Sequence, residues 1–242
     1  MAEIQMIKEL AKRLNLQHIF YGAIDLEKPE MGNCEFLCYV LREELRMREE
    51  KAVFKKMKAS KLPKCRFEKE YTGVTSWQIN EIKKLKFLEN DSNIFIVGKC
   101  GAGKTSLACE IGKTAIDGGY KVYYIKMEEL ISTMREKELS AKSKSVFSYM
   151  KECDLIIIDE TMYTKISDPD LAVFYKAVSF LGESRSLCVV TNRGISHWKE
   201  ACEDKHLMET IIARLTQNTQ ILSLEAVHKE YIDYPDNRNK RI

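Results

Sequence analysis

The segment Gly98 to Thr105, which reads GKCGAGKT, most constrains the fold of this chain, because it directly follows the apolar run Asn93–Val97. A glycine-rich turn between a buried strand and a helix surrounds phosphates with backbone N–H donors and the positive end of the helix. The turn therefore predicts a site for a purine nucleoside triphosphate. The alternative is a plain glycine turn with an accidental lysine, which the strand before it and the helix after it disfavour.

Two side chains of this turn have specific expected roles. We expect Lys104 to reach the β and γ phosphates, and the Thr105 hydroxyl to hold Mg²⁺, which retains several waters and needs few protein ligands. The residues expected to surround the nucleotide are Gly98, Lys99, Cys100, Gly101, Ala102, Gly103, Lys104, Thr105 and Ser106.

Short apolar runs alternate with helical patterns after about residue 76, which predicts an α/β fold with a five-stranded parallel sheet covered by helices on both faces. The predicted strands are Asn93–Val97, Lys121–Met127, Leu155–Asp159, Ser186–Thr191 and Thr219–Leu224, and helices are expected to begin near Gly103, Glu128, Pro169 and His206. A ligand then belongs at the carboxyl ends of the strands, where the glycine turn lies.

Helical spacing of apolar residues predicts a small N-terminal helical domain over residues 1–66, followed by the α/β domain over residues 67–242. Its second helix is expected from about Cys34 to Lys61, with Pro63 closing it and a linker near Tyr71–Ser76. The part of this helix after Glu50 is almost purely basic. This composition fits either a polyanion or acidic partner, or a merely solvated helix face.

Composition narrows the classes of protein to which this chain can belong. The net charge is only +3 over 242 residues, so overall charge does not decide whether the chain binds nucleic acid. The eight cysteines are scattered and no two form C-x-x-C, which predicts a reducing cytoplasm and structural thiols rather than a zinc site. The sequence contains no pattern of a signal peptide and no apolar segment of membrane-spanning length, so we expect no membrane partner.

Two carboxylates end the third predicted strand. Asp159 is placed to face a magnesium ion near Thr105, and Glu160 is then free to polarise a water against the γ-phosphate. Asn192, at the end of the fourth strand, is expected to hydrogen-bond that water or the γ-phosphate. The alternative for the acids is that they merely terminate a strand, and for Asn192 that it is a turn residue.

Arg214 lies on the last predicted helix, where it cannot easily reach the phosphates of its own chain. We expect it to stabilise negative charge on the nucleotide of a neighbouring copy, which predicts a site shared between subunits. From residues alone, an ordinary surface ion pair of Arg214 with Glu209 or Glu110 fits equally well.

These motifs together resemble those of the AAA+ ATPases of the IstB and DnaC clade, most closely the IstB-like transposition helpers. The matching segments are Gly98–Thr105, Leu155–Glu160, Thr191–Arg193 with Trp198, and Ile211–Leu215, preceded by the basic stretch Leu41–Pro63. The resemblance implies a three-layer AAA+ core that binds ATP and Mg²⁺. It implies that Lys104 and Thr105 are Walker A residues, Asp159 and Glu160 the Walker B pair, Asn192 sensor 1 and Arg214 the intersubunit arginine finger. The short tail after Arg214 indicates that the C-terminal lid domain of many AAA+ proteins is absent, and no sensor 2 arginine can be assigned.

In this clade a helical insertion before the Walker B strand contacts DNA, and the corresponding region here is Glu128–Lys151. The cations expected to contact DNA are Arg135, Lys137, Lys142 and Lys144, with serines between them. Lysine and arginine with serine suit phosphate oxygens rather than base edges, so binding is expected to be largely sequence-independent and weakened by salt. A solvated pair of amphipathic helices is the alternative, because Glu136 and Glu138 dilute the charge.

The sequence and the resemblance lead to one expected function. It is an ATP-dependent, DNA-binding AAA+ ATPase that forms a homo-oligomer on duplex DNA and assists a transposase, with ATP as the assembly switch. Three alternatives remain at this stage: a DnaC-type helicase loader that binds single-stranded DNA, a nucleotide-gated binding module with negligible turnover, and, more distantly, a metabolic kinase.

Overall fold

A computed structural model describes residues 2–26, 31–65 and 70–226. The described residues up to Ala59 form one compact unit, and those from Ser60 onward form a second. Among the residues covered by these ranges, no helix combines the length and apolar character needed to cross a membrane.

In the described residues of the first unit there are three helices: α1 (Ala2–Arg13), α2 (Gln17–Phe20) and α3 (Asn33–Ala59). Ala11, Ile19, Ile24 and Val40 form its small buried core. The expected second helix is therefore present, but it ends before Lys61 and Pro63. Its end coincides with Ser60, whose carbonyl oxygen accepts a hydrogen bond from the backbone N–H of Tyr124 at 2.7 Å.

The second unit is built on five parallel strands in the order β2-β3-β4-β1-β5. These are β1 (Asn93–Gly98), β2 (Val122–Lys126), β3 (Leu155–Asp159), β4 (Ser186–Thr191) and β5 (Thr219–Leu224). The five predicted strands and their parallel arrangement are thus confirmed, and only the second is shorter than expected at both ends. Strands β1 to β4 are short and mainly buried, as expected for a sheet covered on both faces, whereas the edge strand β5 is buried only at Leu222 and Leu224.

Helices connect and cover these strands. They are α4 (Ser76–Lys83), α5 (Lys86–Glu89), α6 (Lys104–Asp117), α7 (Met127–Glu136), α8 (Ala141–Met150), α9 (Asp168–Leu181) and α10 (Lys205–Thr216), with a 3₁₀ helix at Ile195–Ala201. On one face, Ile156 and Ile158 pack in a cluster that includes Phe174 of α9 and Ile211 of α10. On the other, Ile157 approaches Gly112 of α6 so closely that a Cβ there would meet its Cδ1 at 2.9 Å. Successive residues of β3 therefore face opposite sides of the sheet, and helices cover both sides. This gives the three layers that the sequence predicts.

The expected linker near Tyr71–Ser76 contains a helix start. Thr75 and Gln78 form a capping box, in which the Thr75 hydroxyl accepts from the Gln78 N–H at 3.2 Å and the Gln78 side chain accepts from the Thr75 N–H at 2.9 Å. Helix α4 therefore begins at Ser76. The expected absence of a lid concerns the chain beyond β5, of which residues 227–242 lie outside the described part.

Candidate nucleotide site

A cleft of about 560 Å³ opens at the carboxyl ends of β1, β3 and β4. It is lined by Cys100, Gly101, Gly103, Lys104, Thr105, Ser106, Asp159, Glu160, Tyr163, Val190, Thr191 and Asn192. The fold therefore brings the predicted phosphate turn, both carboxylates and the strand-terminal asparagine together in one cavity. Arg214 does not line this cleft.

The glycine turn depends on close backbone approach. A Cβ on Gly98 would collide with the carbonyl oxygen of Leu224 on the neighbouring strand β5, and Gly103 has a φ of +84° and lies against the Tyr71 ring. A larger side chain at either position would displace the turn. Because α6 begins at Lys104, immediately after this turn, its N-terminal N–H groups point toward the cleft.

The Lys104 side chain folds back onto the glycine turn that precedes it. Its Nζ donates to the carbonyl oxygen of Lys99 at 2.8 Å. Burial lowers the pKa of Lys104, because desolvation disfavours the ammonium form and the nearby Asp159 only partly compensates. An incoming phosphate would supply the anionic partner that this desolvated cation lacks.

Asp159 is buried, with 4% of its surface exposed, and it accepts three hydrogen bonds. The Thr105 hydroxyl and the Tyr124 hydroxyl both donate to its Oδ2 at 2.8 Å, and the backbone N–H of Glu160 donates to Oδ1 at 2.7 Å. A hydroxyl and a carboxylate side by side are an oxygen donor set that suits Mg²⁺. Thr105 and Asp159 therefore fit the predicted metal site.

Sequence reasoning missed Tyr124. Burial and the neighbouring Asp159 charge raise the pKa of this phenol, so it remains a hydrogen-bond donor at neutral pH. Only strand alternation could have predicted that Tyr124 lies near Asp159. Tyr124 on β2 pairs with Ile157 on β3, and Ile157 is two residues before Asp159, so the side chains of Tyr124 and Asp159 point to the same side of the sheet.

Glu160 lies at the edge of the cleft with a left-handed backbone, φ +55°. Its carboxylate forms an ion pair with Lys126 Nζ at 2.7 Å, and both side chains are about half exposed. The hydrogen bond from Lys126 to Glu160 raises the pKa of this lysine, so its ammonium group stays charged at neutral pH. Lys126 is a second β2 residue that the sequence did not single out, although it pairs with Asp159 in the strand register.

Asn192 lines the cleft and has an unpartnered side-chain acceptor. Its side-chain Oδ1 is buried and has no hydrogen-bond partner among the described residues. A buried polar atom without a partner is costly, and native proteins retain one mainly where a ligand or water completes it. A water between Asn192 and a bound γ-phosphate would satisfy this oxygen.

Arg214 is exposed on α10, where its guanidinium lies 5.6 Å from the centroid of the Tyr175 ring. The two acids that could have paired with it hold other cations: Glu209 bonds Lys199, and Glu110 bonds Lys83. Neither of these ion pairs involves Arg214, and Arg214 is not among the residues that line the cleft of its own chain.

The four cations expected to contact DNA differ in their surroundings. Arg135 on α7 forms an ion pair with Asp170 at 2.7 Å, and the ammonium of Lys137 lies 4.5 Å above the Phe147 ring. Lys142 and Lys144 are exposed on α8. Of the serines between them, Ser140 caps α8 and Ser143 is buried against Glu136, so both have structural roles.

The Lys126–Glu160 pair leads to a testable prediction. Lys126→Gln is expected to raise the basal rate of ATP hydrolysis about twofold to fivefold, because it releases the Glu160 carboxylate toward the cleft at the modest cost of an exposed ion pair. Steady-state phosphate release measures the effect. Lys176→Gln, which removes an exposed charge of α9 outside the cleft, is the control. A rate at or below that of the original protein would mean that Lys126 does not restrain Glu160.

Comparison with known proteins agrees with this geometry. The family model described as IstB-like ATP binding protein matches residues 10–229. The ATP-binding protein of insertion sequence IS21 from Pseudomonas aeruginosa is 25% identical over 228 residues, which cover 90% of this chain and 86% of the relative. An IS21-like ATP-binding protein of Bacteroides fragilis is 26% identical over 237 residues, which cover 93% of this chain and 90% of the relative.

Two solved structures share the fold. The crystal structure of DnaI superposes with a TM-score of 0.52 at 15% identity and covers 69% of this chain and 93% of its own. The crystal structure of the DnaC helicase loader superposes with a TM-score of 0.50 at 15% identity, and the match covers 65% of this chain and 94% of the loader chain. The predicted five-stranded AAA+ core and the predicted family are both confirmed. The chain belongs to the family of IstB-like ATP-binding proteins.

Proposed function

We propose that this protein hydrolyses ATP with the help of Mg²⁺, assembles with further copies of itself on duplex DNA, and thereby assists a transposase. The observation that carries the proposal is the convergence of Lys104, Asp159 and the unpartnered Asn192 Oδ1 in one cleft. A phosphate would supply an anionic partner for the desolvated Lys104, the Asp159 carboxylate would help to hold Mg²⁺, and the attacking water would donate to Asn192 Oδ1.

The side chains of the cleft divide the work of hydrolysis. The glycine turn and Lys104 hold the phosphates, while Thr105 and Asp159 would hold Mg²⁺, which neutralises phosphate charge when bound. Glu160, released from Lys126, accepts a proton from the attacking water. Asn192 orients that water through its free Oδ1.

The nucleotide would also control assembly. Lys104 and Asn192 of one copy and Arg214 of the next would contact the same γ-phosphate, so its loss removes the interaction that favours the oligomer. Arg214 is suited to this because it is exposed and lies outside its own cleft.

Duplex DNA and a transposase complete the proposal. The relatives named above are ATP-binding proteins of insertion sequences, elements that move by transposition, which supports a transposase partner. Lys142 and Lys144 are the exposed cations of α8 and offer the freest phosphate contacts of the predicted set. DNA binding would then be sequence-independent and strongly weakened by salt.

The test measures phosphate release and particle size with ATP, in the presence of duplex DNA, single-stranded DNA or no DNA. We expect both quantities to rise with duplex DNA, and we expect a transposase encoded beside this gene to be retained on the assembly. Preference for single-stranded DNA together with retention of a replicative helicase would instead indicate a helicase loader. Assembly without phosphate release would indicate a binding module without turnover.

Lys104→Ala is expected to weaken ATP binding roughly 100-fold, because it removes charge-assisted contacts to phosphate oxygens. Titration with a fluorescent ATP analogue measures the affinity. The melting temperature without nucleotide should be unchanged or slightly higher, because the substitution removes a desolvated cation. DNA-dependent assembly of this variant in ATP, at the level of the original protein, would contradict the proposed switch.

A further inference from the structure

The first unit contains a basic pocket that the nucleotide site does not involve. Its volume is about 280 Å³, and it is lined by Asn15, Gln17, His18, Arg48, Lys51, Ala52 and Lys55. Three cations of α3 and two carboxamides of the α1–α2 region therefore meet around one small residue, Ala52, which leaves space between the long side chains.

Arg48 is fixed in this pocket by a buried carboxylate. Its Nε donates to Glu44 Oε1 at 2.8 Å, and its Nη2 donates to the carbonyl oxygen of Asn15. Glu44, 2% exposed, also accepts the backbone N–H groups of His18 at 3.0 Å and Ile19 at 3.2 Å. Burial alone would raise the pKa of Glu44, but the bonds from Arg48, the Ile19 backbone and His18 outweigh it and lower that pKa. The carboxylate thus remains charged and holds the guanidinium in place.

The two lysines carry the charge that Glu44 does not neutralise. Lys51 Nζ donates to Gln17 Oε1 at 3.1 Å, a neutral partner, and Lys55 lies one turn further along the same face of α3. Lys58 continues this face at helical spacing and is also exposed. The acids Glu43 and Glu50 are occupied by Arg46. The pocket is therefore a preorganised, donor-rich site with a net positive charge.

We propose that this pocket binds a backbone phosphate of duplex DNA, as a contact separate from the α7–α8 region. A phosphate diester offers several acceptor oxygens to one fixed guanidinium, two ammonium groups and the carboxamide N–H groups. The row of cations continues along α3, so that the next phosphate of the same strand meets Lys58. The proposal places DNA on both units, whereas the proposed function needs it only on the second.

The test compares two double variants with equal net charge. Lys51→Gln with Lys55→Gln removes the two ammonium groups of the pocket and leaves the Arg48–Glu44 pair intact. Arg13→Gln with Arg42→Gln removes two exposed charges of the same unit that do not line the pocket. Circular dichroism and melting temperature confirm that both fold. The probe is a labelled DNA duplex, and fluorescence anisotropy measures its affinity over a salt titration.

We expect the pocket variant to bind duplex DNA about tenfold more weakly at low salt, and its plot of log affinity against log salt to be less steep by about 2. The control variant should show a clearly smaller loss of DNA affinity and a clearly smaller change in this slope. Equal affinities and slopes for the two variants would overturn the pocket, even if Lys142→Gln with Lys144→Gln weakens binding and so supports DNA on the second unit. Tighter binding of an acidic peptide such as polyglutamate than of DNA, lost in the pocket variant, would overturn the assignment to nucleic acid.

Discussion

Glu160→Gln is expected to lower the rate of ATP hydrolysis about 10³-fold while leaving ATP affinity within about threefold of the original. Glutamine keeps the size and hydrogen-bonding capacity of the side chain but cannot accept a proton from the attacking water. Phosphate release under saturating ATP measures the rate, and titration with a fluorescent analogue measures the affinity. Because ATP then persists in the cleft, the variant should accumulate in the assembled form on DNA, which light scattering would detect.

The control for this prediction is Glu183→Gln, which neutralises an exposed carboxylate in the turn after α9. It should hydrolyse ATP at the original rate and disassemble normally. Glu160→Gln with an unchanged rate would remove Glu160 from the role of base. A slow Glu160→Gln that nevertheless disassembles in ATP would separate hydrolysis from the assembly switch, so the two parts of the proposal can fail independently.

The sequence predicted the sheet well because its strands carry strong local signals. Each of the five is a short apolar run bounded by turn or charged residues, and the glycine turn fixes where the first one ends. Thr75 and Gln78 also have the spacing of a capping box, which would have predicted the start of helix α4, but the predicted linker near Tyr71–Ser76 is followed by no predicted helix before β1. The end of α3 at Ala59 was not readable. It coincides with a hydrogen bond between Ser60 and Tyr124, which are 64 positions apart.

The same distinction applies to the site. Lys104, Thr105, Asp159, Glu160 and Asn192 end or follow strands, so the parallel sheet brings them together at one edge. The roles of Tyr124 and Lys126 could not be predicted, because their contacts depend on the register between β2 and β3, which no local pattern specifies. The contact of Arg135 with DNA remains a prediction, and its ion pair with Asp170 is a further contact that no local pattern specifies.

Arg214→Ala is expected to lower the rate of ATP hydrolysis in the assembled state about 10³-fold, which is the scale of an arginine supplied to phosphoryl transfer by a neighbouring subunit. ATP binding by the isolated chain should be unchanged, since Arg214 does not line its own cleft. Lys205→Ala is the matched control, because it removes an exposed cation from the first turn of the same helix. It should retain normal hydrolysis.

Mixing two inactive variants tests whether Arg214 acts between subunits. Arg214→Ala retains an intact cleft, and Lys104→Ala retains Arg214 but should bind ATP only weakly. In a mixture, an Arg214→Ala cleft can receive the arginine of a Lys104→Ala neighbour, so phosphate release should recover to a clear fraction of the original rate. The recovery should depend on the mixing ratio and vanish on dilution below the assembly concentration. A mixture as inactive as its components, with normal assembly, would mean that Arg214 supports hydrolysis only within its own chain or not at all. The exposed position of Arg214 over Tyr175, outside its own cleft, favours recovery.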